Sequence, residues 1–158
     1  MLNSINMTTA ANRHIVNEQS YARMTALRIQ QLRDAYLQDF PNNIERTMTP
    51  TGVYNCHGLL FASRRTQIDG KSIRPILHDD KYIRINRKDD VKIGDIVLFV
   101  APDGDIEHSA IVVVPPSESI TGMPKVFSKW GPFTEFIHYA NFSPYDVTNL
   151  EYWRVEWP

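Results

Sequence analysis

A second cysteine, a long apolar run and an excess of charge of either sign are all missing from this 158-residue chain. With one thiol there is no internal disulfide, and no other sulfur competes with Cys56 for thiol chemistry. No apolar stretch approaches the roughly 20 residues that span a bilayer. A formal net charge of -1 gives no electrostatic case for nucleic acid or for an acidic membrane surface. Met1 to Ala11 is polar, without the basic start and apolar stretch of a secretory signal. The expectation is a protein that is cytoplasmic as made, reaching any other compartment by a non-classical route. The histidines, His14, His57, His78, His108 and His138, are scattered, with no His-x-x-x-His or Cys-x-x-Cys pair, and the glycines form no phosphate cradle. No metal and no cofactor are expected.

What is present is an ordinary globular balance, 42% hydrophobic and 22% charged, in a chain of single-domain length. Residues 1–12 read as a loose polar start and 13–158 as one domain. From Arg13 to Phe40 there is neither Pro nor Gly. Tyr21, Met24, Leu27, Leu32, Ala35 and Tyr36 fall near one face, which predicts a long amphipathic helix over 13–40 stopped by Pro41 and the Asn42-Asn43 pair. Such a helix packs on its own domain or presents a partner surface. Arg64 to Pro75 reads as a basic polar loop. Strands are predicted at Lys81–Ile85, Asp95–Val100, His108–Val114, Lys125–Trp130, Thr134–Tyr139 and Glu151–Trp157, the last with Trp153, Val155 and Trp157 on one face. Pro-Asp-Gly at 102–104 marks a hairpin turn, and Pro115 to Pro124 a loop long enough to overhang a cleft. Helices first and then strands joined by short turns imply an α+β fold with an antiparallel sheet of about five strands.

The chemistry centres on Tyr54-Asn55-Cys56-His57-Gly58-Leu59-Leu60-Phe61-Ala62. A turn-forming run, Met48 to Val53, leads into it. A helix over Cys56–Ser63 puts Cys56 in the first turn, where unpaired N–H groups favour a thiolate and can hold an oxyanion. The base expected for that thiol is His108, which opens a β-branched run after Gly94-Asp95-Ile96-Val97-Leu98-Phe99.

These two segments resemble the paired motifs of the NlpC/P60 family of papain-like cysteine peptidases and amidases. The Cys56 segment is similar to that family's Asp-Cys-Ser-Gly-Leu motif. Gly-Asp-Ile-Val-Leu-Phe followed by His108-Ser109-Ala110-Ile111-Val112 is similar to its second motif. The likeness covers roughly residues 50–131. It implies a papain-like core with Cys56 as nucleophile and His108 as general base. Asn55 stands where the family has Asp, removing a charge, and His57 where it has Ser, adding a titratable group.

The resemblance further implies a third polar group, orienting the histidine, on the strand after the histidine strand. Ser128 is nearest by position, with His138 as the other contender, and a dyad without a third member stays open. Tyr54 is placed to donate to a bound carbonyl or to pack at the helix entrance. His57, one residue along, points away from the Cys56 side as a surface or supporting histidine. Trp130 serves as core or as the wall of a cleft.

The implied substrate class is a peptide of the peptidoglycan type, cleaved at an amide bond, the protein itself serving as an effector delivered between cells or acting on a cytosolic protein. An acyltransferase or transglutaminase-like enzyme needs the same dyad, and a non-catalytic binding domain needs none of it. The sequence does not address oligomeric state.

Overall fold

The computed structural model describes residues 3–46 and 49–156. Met48 and Trp157, included in the predicted turn and last strand, lie outside them. The fold is mixed α+β around a large antiparallel sheet. Its strands are β2 (Ile44–Glu45), β4 (Tyr82–Ile85), β5 (Ile96–Val100), β6 (Ile106–Val114), β7 (Lys125–Lys129), β8 (Glu135–Tyr139) and β9 (Leu150–Val155). Among the described residues this sheet has seven strands, in the order β2-β8-β7-β6-β5-β9-β4, rather than about five. The six predicted strands are all members. The two-residue β2 at one edge is too short to register as an alternating pattern.

A second, two-stranded sheet pairs β1 (Asn17–Glu18) with β3 (Gln67–Ile68). This corrects the N-terminal expectation. Only Ala26–Asp39 is helical (α1); Thr25 caps it, its side chain accepting from the Arg28 N–H at 3.2 Å. Residues 13–25 are extended instead, because Ile15 is buried in the core and Asn17 closes side-chain hydrogen bonds to the Ile5 and Ile15 backbone. Ile29, Leu32, Tyr36 and Phe40 line the packed side of α1, whereas Tyr21 and Leu27 are exposed. Nor are residues 3–12 loose. Bridges Asn3↔Gln19 and Thr8↔His14 fold it into a hairpin. Thr9 donates to Asp79 at 2.8 Å, and the Ala10 N–H donates to Asp80 at 2.7 Å. Docking by polar contacts leaves no trace in hydropathy.

The predicted loop at 64–75 holds β3, a single 3₁₀ turn (Gly70–Ser72) and the beginning of α3 (Ile73–Asp79). Pro75 lies in the first turn of α3, where its missing N–H costs no intrahelical bond. Ile73, Ile76 and Leu77 are buried from this helix.

The sheet has two apolar faces. On one, Ile96, Leu98, Val100 and Ile106 pack with Ile68, α3 and Ala62, which caps the end of α2 (Cys56–Phe61). On the other, Val97, Phe99, Ala110, Val112, Val126 and Tyr152 form a second cluster. It continues into Trp130, Phe133 and Phe136 under α1. Tyr36 meets Trp130 edge-on at 5.0 Å.

Candidate active site

Asn55 places Cys56. Its Oδ1 accepts from the Gly58 N–H (2.9 Å), capping α2, and from the Ile68 N–H (3.2 Å), while its Nδ2 donates to the Ile68 carbonyl at 2.8 Å. An aspartate cannot make that last bond, since a carboxylate has no hydrogen to give. The amide at 55 therefore ties the helix start to β3 in a way the resembling motif's Asp does not. Gly58 lets the two backbones close. A Cβ on it would lie 1.7 Å from the Thr66 carbonyl oxygen.

Cys56 is the first residue of α2 and is 6% exposed. The groups turned toward its sulfur are the N–H and hydroxyl of Ser109 and the N–H groups of His57 and of Cys56 itself. β6 and β7 are paired from Val114 down to Ile111, opposite Phe127, and no further. Ser109 lies beyond that paired stretch, and its N–H acts on the thiol. Burial is the largest influence and pushes the thiol up; the surrounding donors work against it.

His108 stands one residue before Ser109 but on the other face. The register between β5 and β6 shifts after Phe99↔His108, so that Val100 pairs with Ile106 and Glu107 is the extra, exposed residue. Ile106 thereby packs with the α2 side, and His108 lies over the opposite face. Its ring stacks on Tyr145 with centroids 3.7 Å apart and planes 8° from parallel, and it meets Phe99 edge-on at 5.0 Å. It is fully buried, and neither ring nitrogen has a hydrogen-bond partner among the described residues. Burial, reinforced by repulsion from His138 and His57, holds its pKa well below the ordinary imidazole value. With the thiol pushed up and the imidazole pushed down, each group is neutral at pH 7. In this structure no hydrogen bond joins Cys56 to His108.

The imidazole that meets Ser109 is His57. It is buried rather than on the surface, and its Nδ1 lies 2.8 Å from Ser109 Oγ. The Ile106 carbonyl also faces the ring. That oxygen and His57 Nε2 both lie beside the Gly70 Cα, where a Cβ would come within 2.4 and 3.6 Å of them. A carbonyl only accepts, so the proton belongs on Nε2. Nδ1 is then the acceptor of the Ser109 hydroxyl. Burial lowers His57 to about 4, partly offset by that carbonyl.

Neither orienting contender reaches His108. Ser128 and His138 bond each other, Oγ to Nε2 at 2.8 Å, and Trp130 Nε1 donates to Ser128 Oγ at 3.2 Å. The partner of His138 Nδ1 is the Tyr139 carbonyl at 2.8 Å. Burial lowers His138 to about 4. Trp130 is 1% exposed and belongs to the core rather than to a cleft wall. Tyr54 is also spoken for. Its hydroxyl donates to Glu135 Oε1 at 2.7 Å, the oxygen that also accepts from Arg64 Nε at 2.7 Å.

No family model, no curated protein and no solved structure matches this chain.

Two contributors went unweighed in the sequence. Ser109 was visible only as part of the His108 motif. Period-two alternation puts neighbouring strand residues on opposite faces, so one of the pair had to look toward α2 and the other away. Lys129 gave no signal at all. It is fully buried, with Nζ donating to the Gly131 carbonyl at 2.6 Å and the Thr51 carbonyl at 2.8 Å, and lies 4.8 Å from the centre of the Tyr54 ring. It fastens the segment leading into Cys56 to the end of β7. Burial lowers this ammonium to about 8, and proximity to Glu135 and Cys56 opposes the shift.

Proposed function

We propose that this protein is a cysteine hydrolase of the papain-like NlpC/P60 type that cleaves an amide bond, with peptides of the peptidoglycan kind as its substrate class. One observation carries the reading. The chain's only thiol opens α2 with backbone N–H groups turned toward it, one of them from Ser109, and the residue before Ser109 is a buried imidazole with no hydrogen-bond partner among the described residues. Cys56 attacks the carbonyl carbon, and N–H groups around the sulfur support the oxyanion. His108, with both nitrogens uncommitted, takes the thiol proton as the sulfur attacks and then gives it to the leaving amine. Water then releases the acyl group.

The test is release of new amino groups from purified peptidoglycan peptides and from a general protein substrate. Hydrolysis of either, abolished by Cys56→Ala with the melting temperature retained, supports the reading. Equal release by the variant, or none by the wild type on both substrates, overturns it. An added amine that captures the acyl group in preference to water points to an acyltransferase instead. A non-catalytic binding domain is favoured by one observation, the absence of a thiol–imidazole hydrogen bond. It predicts a thiol that small alkylating reagents leave unmodified at neutral pH.

A further inference from the structure

We propose that Tyr145 is the positioning residue for His108, its ring doing by stacking what a polar third group does by a hydrogen bond. This rests on the hydrolase reading and supplies the member of the site that Ser128 and His138, bonded to each other, do not. The two rings lie face to face, with centroids 3.7 Å apart and planes 8° from parallel. Phe99 closes a second side of the imidazole edge-on at 5.0 Å and also meets the Tyr145 ring at 6.1 Å. Among the described residues no hydrogen bond reaches either imidazole nitrogen, so the plane of His108 is set by these aromatic contacts. Tyr145 is itself held on both sides, in the connection from β8 to β9. Before it, Asn43 Nδ2 donates to the Phe142 carbonyl at 2.9 Å, and Pro144 fixes a backbone torsion next to the tyrosine. After it, Val147 packs into the apolar cluster around Phe99, and the Asn149 carbonyl accepts from the Val100 N–H of β5 at 3.0 Å.

Stacking serves the reaction in two ways. Both imidazole nitrogens lie in the plane of their ring, so fixing that plane fixes the directions in which a proton can arrive and leave. The phenol face also lies against a group that turns cationic during the reaction. At rest the imidazole is neutral. It carries charge only between taking the proton from sulfur and giving it to the leaving amine, and in that interval the electron-rich face attracts it. The attraction is absent in the resting enzyme and present when the proton is in transit, so it raises kcat and not substrate affinity. A hydrogen-bonding third group holds the histidine and steadies the imidazolium in the same two senses.

Proton NMR of the histidine rings, paired with hydrolysis kinetics on peptidoglycan peptides, tests this on the full chain. His108 signals are assigned by their absence from His108→Gln. Protons over an aromatic face resonate upfield, so wild type and Tyr145→Phe show His108 ring protons upfield of their position in the urea-unfolded chain. Tyr145→Leu keeps an apolar cover without a π face and moves those protons back toward the unfolded position. It lowers kcat about tenfold with KM nearly unchanged, as forfeiting a desolvated cation–π contact requires. Tyr145→Phe restores kcat, because the face and not the hydroxyl does the positioning. Melting temperatures measured alongside separate these effects from misfolding. If Tyr145→Leu does not fold, Tyr145→Met, unbranched and adaptable, takes its place. Unshifted His108 protons in the wild type, or a leucine or methionine variant whose kcat equals the wild type's, overturn the positioning role, while the hydrolase reading stands if Cys56→Ala is inactive. Hydrolysis undiminished in Cys56→Ala, or none by the wild type, overturns the hydrolase reading and this role with it.

Discussion

Replacing Gly58 with alanine isolates the contact on which the position of Cys56 depends. In an open helix the change stabilises by about 1 kcal/mol, because alanine loses less backbone freedom than glycine. Here the added carbon would lie 1.7 Å from the Thr66 oxygen, 2.9 Å from its carbonyl carbon and 3.2 Å from Tyr54 Cβ. The first two obstacles are backbone, so no rotamer change relieves them. α2 must retreat from β3 by roughly 1.5 Å, and close-packed interiors do not yield that far without loss elsewhere. Ordinary overpacking costs about 1–3 kcal/mol. This overlap sits at the upper end, so the expected net loss is about 3 kcal/mol. In a chain of this size that lowers the melting temperature by roughly 6–12 °C. The retreat also pulls on the Asn55 bonds to Ile68 and shifts the sulfur away from the Ser109 N–H. Alkylation of Cys56 should therefore change even at temperatures where the variant is folded. Thermal melts followed by circular dichroism, paired with iodoacetamide kinetics, measure both effects. Gly122→Ala is the matched control: its backbone is left-handed (φ +67°) but nothing lies within 4 Å of the new carbon, so strain alone costs about 1 kcal/mol. A Gly58→Ala protein melting within about 2 °C of the wild type would refute the claim that α2 and β3 are in enforced contact.

Two further outcomes follow from the buried titratable groups. His57 and His138 titrate near 4 when folded but near the ordinary imidazole value, roughly 6.5, when unfolded. Below that value the unfolded chain binds more protons. Stability is thus fully present above pH ~6.5 and declines as the pH falls toward 4, by on the order of 3 kcal/mol per imidazole. His108, also depressed by burial, adds in the same direction. Urea midpoints at pH 7, 6, 5 and 4 should fall steadily, and a flat series from 7 to 5 would contradict neutral buried imidazoles. Lys129→Met removes the donor that holds the Thr51 and Gly131 carbonyls. Stranding them should cost about 3 kcal/mol by chemical denaturation, and a neutral result would show that the ammonium is not what anchors that segment.

The sequence by itself determined the class of fold and the segment that carries the chemistry. Apolar, β-branched runs bounded by turn residues made six strands legible, from Tyr82 to Val155. The placement of a lone cysteine after a turn and before an apolar run located the start of α2. Residues 13–25 depart from the helix expected over 13–40 because hydropathy registers burial and not hydrogen bonding. Asn17, Thr9 and the Thr25 cap organise residues 3–25 through polar contacts, and Pro75 looks like a helix breaker unless its place in the first turn is known. Which face each strand residue takes was decided only in three dimensions. The bulge at Glu107 turns His108 toward Tyr145 and leaves Ser109 facing the thiol. A one-residue shift in register moves a side chain through the whole thickness of a sheet, and no local pattern in the chain records that choice.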